Sequence, residues 1–597
     1  MSVTYGQYLI NKELPSEYKI KSGLTKKNFK SRMNTFAHKQ PERYVRTITA
    51  LKNLGDSIAT TEGLSLGLDD IAPEYSKRNK FMKPLERRFQ HAATDTAREK
   101  IVIEAQNRLL SNVMDHKGSL TLQVKSGARG NPVQYANMSS GVGYARNTSG
   151  GVVPWLITRS YSEGLKPSDY WALTNQSMMD VIKTQTAVSE PGELSKKLIA
   201  GMSDALITEE DCGTRNGILI ITKSSDALDR YIAKDIGKIK RNTLITPTNQ
   251  SAIAKTYPKI LLRSPMTCEA ADGICQRCQG LDEHGNTQTF GINVGVRSAQ
   301  AMSEPLTQFA LNAKHGGRTL ASDNYQVTGI SGFRQIIETP KQFMHKAVLA
   351  SEDGRVTQIS KAPQGGNFIY IEDTKHYVTP ELKLKRKVGD NVYRGDVLSD
   401  GIPKPDEVVK YKGLGAGRLY MVKTLKDLYS TQGKDIDQRH FEILAKSSMN
   451  HVRILNDPGN AYIKGDVISY NNLRRDLSSQ AIRKQTKQAL GDTLGIAVNP
   501  YAAGTRITKE VQKQLISTGD LEIMVAPRAP EVEFIMKSAT NVPKMHTDWL
   551  ARMAHQGLKP TILQAAHMNE TTDIHGTHPV PAYVLGGTFG EGSGGKY

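Results

Sequence analysis

The stretch TCEAADGICQRC, residues 267–278, sets three cysteines in the pattern Cys268-x6-Cys275-x2-Cys278, in a chain of 597 residues that holds only one more. A Cys-x2-Cys pair lets two thiolates face one ion from a tight turn, and Gly273 just ahead of it helps the backbone fold back. The remaining thiol, Cys212 in TEEDCGTRNG, lies more than fifty residues upstream and also precedes a glycine. Zinc bound by Cys212, Cys268, Cys275 and Cys278 closes a long loop and clips two distant segments together. Two other readings compete. The thiols are idle in a core, since cysteine packs as a small hydrophobe, or they form a redox pair, although no thioredoxin-like βαβ pattern surrounds them. The spacing favours zinc. With no evident open coordination position, the expected role of the ion is structural.

A chain this long exceeds one compact core, and roughly three to five domain-sized units are expected. Four cysteines do not make an extracellular disulfide framework. The N-terminal text MSVTYGQYLINKELP lacks the basic-then-apolar run of a secretory signal, and no stretch is apolar enough for long enough to span a bilayer. The formal charge of +20 favours a polyanionic partner, because neutralised phosphates release counterions. Basic runs such as Lys383–Lys387 and KIKSGLTKKNFKSR are equally read as solvated faces or as nucleic-acid contacts.

Residues 1–115 carry helical patterning, and 116–155 contain the Gly-, Asn- and Ser-rich text SGARGNPVQYANMSSGVGYARNTSGG. From Pro167 about forty helix-compatible residues follow, enough for about 60 Å of helix; Pro191-Gly192 kinks or divides it. Residues 211–300 mix apolar strand-like runs with the cysteines, and a further helix fits VGVRSAQAMSEPLTQFALNAKHGG. Between 341 and 415 short alternating segments with turns indicate a small β-barrel or sandwich. Helical text returns over 416–597 and ends in the Gly-rich tail GGTFGEGSGGKY. The expected fold class is multidomain α+β and largely helical.

Several stretches, in one order, resemble one family. They include KELP…LTKK…GLSLGLDDI, SGARGNPVQ, ITRSYSEGL, ITEEDCGT and RSPMTCEAADGICQRCQG. After them come GVRSAQAMSEPLTQFALNAKHGG, VGDNVYRGDVLSDG, DLYSTQGKDIDQRHFEIL and DWLARMAHQGLKPTILQAAHMNET. The chain resembles the C-terminal half of the β′ subunit of multisubunit DNA-dependent RNA polymerases, most closely the split β′ of jumbo bacteriophages. That family's fourth zinc thiolate sits in the DCGT element, which assigns Cys212 to the site.

The resemblance implies template-directed RNA synthesis on two magnesium ions held by a DFDGD-type motif. The 597 residues contain no such text; Asp435 and Asp437 in QGKDIDQRH read instead as helix-cap carboxylates. The magnesium site is therefore expected in a separate N-terminal β′ chain. The other expected partners are β-type subunits, a promoter-specificity subunit, DNA template, RNA and nucleoside triphosphates. The resemblance makes 156–210 a bridge helix and 301–340 a trigger-loop helical hairpin. Residues 1–115 become a funnel- or rim-like region, and 416–597 a jaw- or clamp-like one.

By that match Gln308 and Asn312 face the ribose hydroxyls, Leu311 covers the base and His315 approaches the phosphates. Positions 308, 311, 312 and 315 share one helical face. Read without the family, the apolar residues here are core and His315 is a helix C-terminal residue. Thr184 and Gln185 match bridge-helix positions beside the templating base, and Arg129 an arginine near the entering triphosphate, where a guanidinium suits bidentate phosphate contact. Asn312 stands where bacterial enzymes have arginine, and Ser177-Met178-Met179-Asp180 replaces an ARKG stretch. The expected location is the cytoplasm of an infected bacterium, or the virion. The rival readings are a non-catalytic zinc-stabilised nucleic-acid-binding protein and a structural virion protein.

Overall fold

A computed structural model describes residues 4–572, 578 and 580, apart from 22, 64, 73–74, 115–117, 148–151, 187–188, 313–328, 460 and 547. It is α+β, with helices making up about half of the chain and several small sheets. Two compact units divide at about residue 186.

The first unit is helical. Thr4 opens its first helix, Tyr5–Glu13, with a capping box: its hydroxyl accepts from Gln7 N while the Gln7 side chain reaches back to Thr4 N. Asn11 then bonds both the N–H and the C=O of Ile20, pinning the returning chain. Phe36 and Met33 from the Lys26–Lys39 helix fill a core with Leu14, Tyr18 and Ile20. A second core joins Met82 and Leu85 of Tyr75–Gln90 to Val102, Ala105 and Leu109 of Asp95–Met114. Arg78 ties this core to the segment that follows. Its guanidinium grips Glu163 and donates to Ser140 O at 2.9 Å, all three being nearly inaccessible to water. The helix Pro167–Thr186 completes the unit, with Asp169 accepting from Trp155 Nε1 at 3.0 Å.

In the second unit the helix Ser189–Met202 begins just before Pro191. A proline in a first turn loses no intrahelical bond, so here it opens a helix rather than bending one. This helix packs against Val294–Asn312 so closely that a Cβ on Gly295 would lie 1.8 Å from Met202 O. The same core takes in Pro405–Thr431 and Gln438–Ser448. Under the Val294–Asn312 helix, Phe309 meets the Tyr429 ring edge-on at 5.1 Å, and Phe333 and Phe441 meet it at 5.8 and 5.2 Å. The Tyr429 hydroxyl donates to Met302 O at 2.7 Å. Asp437 caps the Gln438–Ser448 helix through Arg439 N at 2.8 Å. Burial opposes its ionisation, but the Arg439 and Arg230 guanidiniums hold its carboxyl well below the usual range.

The alternating text after residue 345 forms a four-stranded antiparallel sheet, in the order Thr374–Val378, Asn367–Ile371, Gly354–Lys361, Asn391–Val392. The bridges Leu349–Val397 and Leu384–Ser399 lie beside it, and Val356, Ile369, Ile371, Val378 and Leu398 make its separate core. Helix begins earlier than the text suggests, at Pro405, and runs to Thr431 across a break at Gly413 (φ 83°, ψ 177°). Glycine-rich GLGAG hides this helix from periodicity, and Gly413 takes a backbone conformation that other residues avoid. Two smaller sheets follow, one of Val467–Ser469, His451–Asn456 and Glu531–Ile535, the other of Ile482–Gln485 with Glu522–Val525. Among the described residues no helix is long and apolar enough to cross a membrane.

Candidate functional site

Two short strand pairings assemble the cysteines. Ile207–Glu209 runs parallel to Ile274–Cys275, with Glu209 opposite Cys275, which carries the next turn, holding Cys212, to the knuckle. Ile218–Ile221 pairs antiparallel with Lys259–Leu262, Ile218 opposite Leu262, so the segment after Cys212 lies beside the one leading to Cys268. Gly273 makes the knuckle possible: its φ is 64°, and a Cβ there would lie 2.3 Å from Leu206 O.

The four Sγ atoms lie within 4.8 Å of one another. Cys212 is 3.7 Å from Cys278 and 3.8 Å from Cys268. Four thiolates about 2.3 Å from a tetrahedral ion are separated by about 3.8 Å, so the sulfurs already stand at the edges of such a coordination shell. These separations are far too long for disulfides. Backbone N–H groups point at the sulfurs: Cys275 N to Cys268 Sγ and Cys278 N to Cys275 Sγ, both at 3.3 Å, and Glu269 N to Cys212 Sγ at 3.4 Å. Burial pushes the Cys278 thiol up. Cys268 is equally buried, yet hydrogen bonds from the other three thiols and the Lys446 charge hold it well below the usual thiol range.

A fully buried guanidinium completes the site. Arg263 Nη2 donates to Cys212, Cys278 and Cys275 at 3.3, 3.4 and 3.5 Å, while Nη1 bonds Asp211 at 2.5 Å and Asn242 at 2.9 Å. Lys446 Nζ donates to the carbonyls of Gly273 and Cys268 at 3.2 and 3.4 Å. A divalent ion with four thiolates carries two negative charges, and Arg263, shared with the Asp211 carboxylate, and Lys446 offset part of them. The donor set fits a structural ion of the zinc type, held by Cys212, Cys268, Cys275 and Cys278.

The second candidate element is the Val294–Asn312 helix. Gln308 lies on it half-buried, its amide donating to Glu304 and its oxygen accepting from Lys434 Nζ. The neighbouring Phe309 is 3% exposed and belongs to the core beneath.

The family model for RNA polymerase Rpb1, domain 5, matches residues 164–465, just over half of the 597. The chain belongs to that family. It is also similar to the DNA-directed RNA polymerase subunit beta' of Staphylococcus saprophyticus, 27% identical over 479 residues, covering 74% of this chain and 39% of the relative. The corresponding subunit of Staphylococcus haemolyticus is 25% identical over 478 residues, with the same coverage. The chain thus spans about two fifths of the length of these relatives.

Within this Rpb1 domain 5 chain the predicted residues fall into two groups. The four cysteines converge and Gln308 is held, all in the second unit. In the first unit Arg129 is exposed in the turn between Ser119–Ser126 and Pro132–Ser139, and Gln185 is exposed near the end of Pro167–Thr186. Thr184, Leu311 and Asn312 lie in helices, but their side chains are outside the described residues, as is the whole of His315.

Sequence reasoning passed over three residues. Arg263 contacts the cysteine cluster and Lys446 the backbone beside it, and Lys434 holds Gln308 from a position 126 residues away. An arginine closing the apolar run KILLR just before SPMTC was the only signal among them; a cation buried beside cysteines needs negative partners.

Proposed function

We propose that this chain is the C-terminal β′ portion of a split multisubunit DNA-dependent RNA polymerase of jumbo-phage type. Within that enzyme it supplies the bridge helix and the trigger loop. The observation that carries the reading is the Rpb1 domain 5 match, which runs through both the Pro167–Thr186 and the Val294–Asn312 helices. A companion chain bearing a DFDGD-type motif holds the two magnesium ions, which supply charge stabilisation to the transferring phosphoryl group when bound.

The residues of this chain position substrate. Gln308 and Asn312 orient the ribose hydroxyls, Leu311 covers the base, and His315 brings a positive or proton-donating group to the leaving phosphates. One helix carries the first three, and its extension brings His315 beside them. Thr184 and Gln185 lie along the templating base, and Arg129 forks onto the entering triphosphate. The ion held by the four cysteines is zinc, and its part is structural. β-type subunits, a promoter-specificity subunit, DNA and RNA complete the assembly, which acts in the cytoplasm of an infected bacterium or is packaged in the virion. Alone the chain is inactive.

In the complex reconstituted with its companions, His315→Ala is expected to slow nucleotide addition by about 10²-fold or more while template binding stays unchanged. Equal loss of both would refute the assignment.

A further inference from the structure

A cavity of about 70 Å³ opens next to the cysteine cluster; its wall is largely apolar but includes three cations, Arg418, Lys446 and Arg474, beside Tyr470 and Cys268. Arg418 is 7% exposed, and both of its Nη atoms donate to backbone carbonyls, Met266 O at 2.8 Å and Met449 O at 2.7 Å. Arg474 Nη2 donates to Glu269 O at 2.8 Å and Ala270 O at 3.2 Å. Among the described residues neither guanidinium forms an ion pair, and the Nε of each is buried without a partner. Burial, and secondarily the neighbouring Arg474 charge, bring the Arg418 pKa down to about 10, which leaves it charged at neutral pH.

The other groups on the wall offset only part of this charge. Lys446 is engaged with the cysteine cluster through the Cys268 and Gly273 carbonyls. Glu269 is the only acidic side chain in the lining, and its Oε1 accepts from Asn216 at 2.8 Å. Tyr470 Oη accepts from Ala503 N at 3.1 Å, which leaves its own proton free for an acceptor. A buried guanidinium and a half-buried one, with the single Glu269 carboxylate nearby, leave a surplus of positive charge that an anion would offset. The space is far below the several hundred Å³ of a nucleotide-sized pocket.

We propose that this pocket binds a small oxyanion between Arg418 and Arg474. The occupant is a phosphate-sized ion or a single carboxylate of the same charge. The site is independent of the polymerase reading, because it uses none of the residues assigned to substrate.

The test is thermal unfolding of the full chain in potassium phosphate, potassium acetate and potassium chloride at matched ionic strength. The variants are Arg474→Gln and, as a matched loss of charge outside the lining, Arg475→Gln. The expected result is a saturable upward shift with phosphate and none with chloride. The half-saturating concentration should rise about tenfold or more in Arg474→Gln and stay unchanged in Arg475→Gln. Saturation by acetate as well would assign the occupant to a carboxylate, and saturation by phosphate alone to the inorganic ion; either supports the site. No saturable shift, or equal effects of the two substitutions, would overturn it.

Discussion

Glu442 is fully buried and takes four hydrogen bonds: two from Arg230 at 2.8 and 2.9 Å, one from Ser264 Oγ at 2.5 Å and one from Gln438 at 2.8 Å. Glu442→Gln preserves the shape but removes the charge, leaving the Arg230 guanidinium, 1% exposed, against an amide that donates as well as accepts. Breaking one side of a buried pair costs about 3–5 kcal/mol. At about 1.4 kcal/mol per factor of ten, amides of the Gln438–Ser448 helix should exchange about 10² to 4 × 10³-fold faster if they open through the second unit. Hydrogen exchange read by mass spectrometry on a peptide covering that helix measures the change, with peptides from the first unit as internal reference. Replacing the pair by apolar residues, Arg230→Met with Glu442→Leu, should cost less than the sum of the single changes, because no charge is left unpaired. A change in protection below about threefold in the single variant, or additivity in the double, would refute the reasoning.

Cys275→Ser should lower the metal bound per chain from about one ion to well below that, and loosen the 207–278 region, as elemental analysis and limited proteolysis would register. Lys434→Met removes the cation that holds Gln308; in the reconstituted polymerase it should raise the KM for nucleoside triphosphate by about threefold or more with template affinity unchanged, and a change in template affinity alone would count against it. His451 and His578 have their pKa brought down to about 4, chiefly by burial and then by neighbouring Lys537 and His546 respectively. The unfolded chain titrates near the ordinary value of about 6.5 and binds protons there that the folded chain refuses. Stability should therefore fall as pH drops through that range and level off below about 4; a urea midpoint that rises over the same interval would contradict this.

The local parts of the fold were readable because their causes are local. Helical periodicity marked the first hundred residues, Pro167 marked a helix start, and alternation marked the sheet between Gly354 and Val392. The knuckle was readable from Cys275-x2-Cys278. What brings Cys212 to it was not, because the pairings involved are only two to four residues long and join segments more than thirty residues apart. Such strands carry almost no periodic signal, and their register depends on what packs around them. Pro191-Gly192 correctly marked a division, between Pro167–Thr186 and Ser189–Met202, but its place in the first turn of the second helix is invisible until that helix start is known. Arg263, Lys446 and Lys434 were silent for a related reason: a lysine or arginine in text looks the same whether it faces water or a buried sulfur.

The aromatic cluster around Tyr429 has a mechanical consequence for the Val294–Asn312 helix. With Met302 tethered by its carbonyl and Phe309 wedged against the tyrosine ring, that rod is clamped like a cantilever along its final turns. Gln308, one position before Phe309, is held within the same clamp, with Lys434 Nζ donating to its side-chain oxygen.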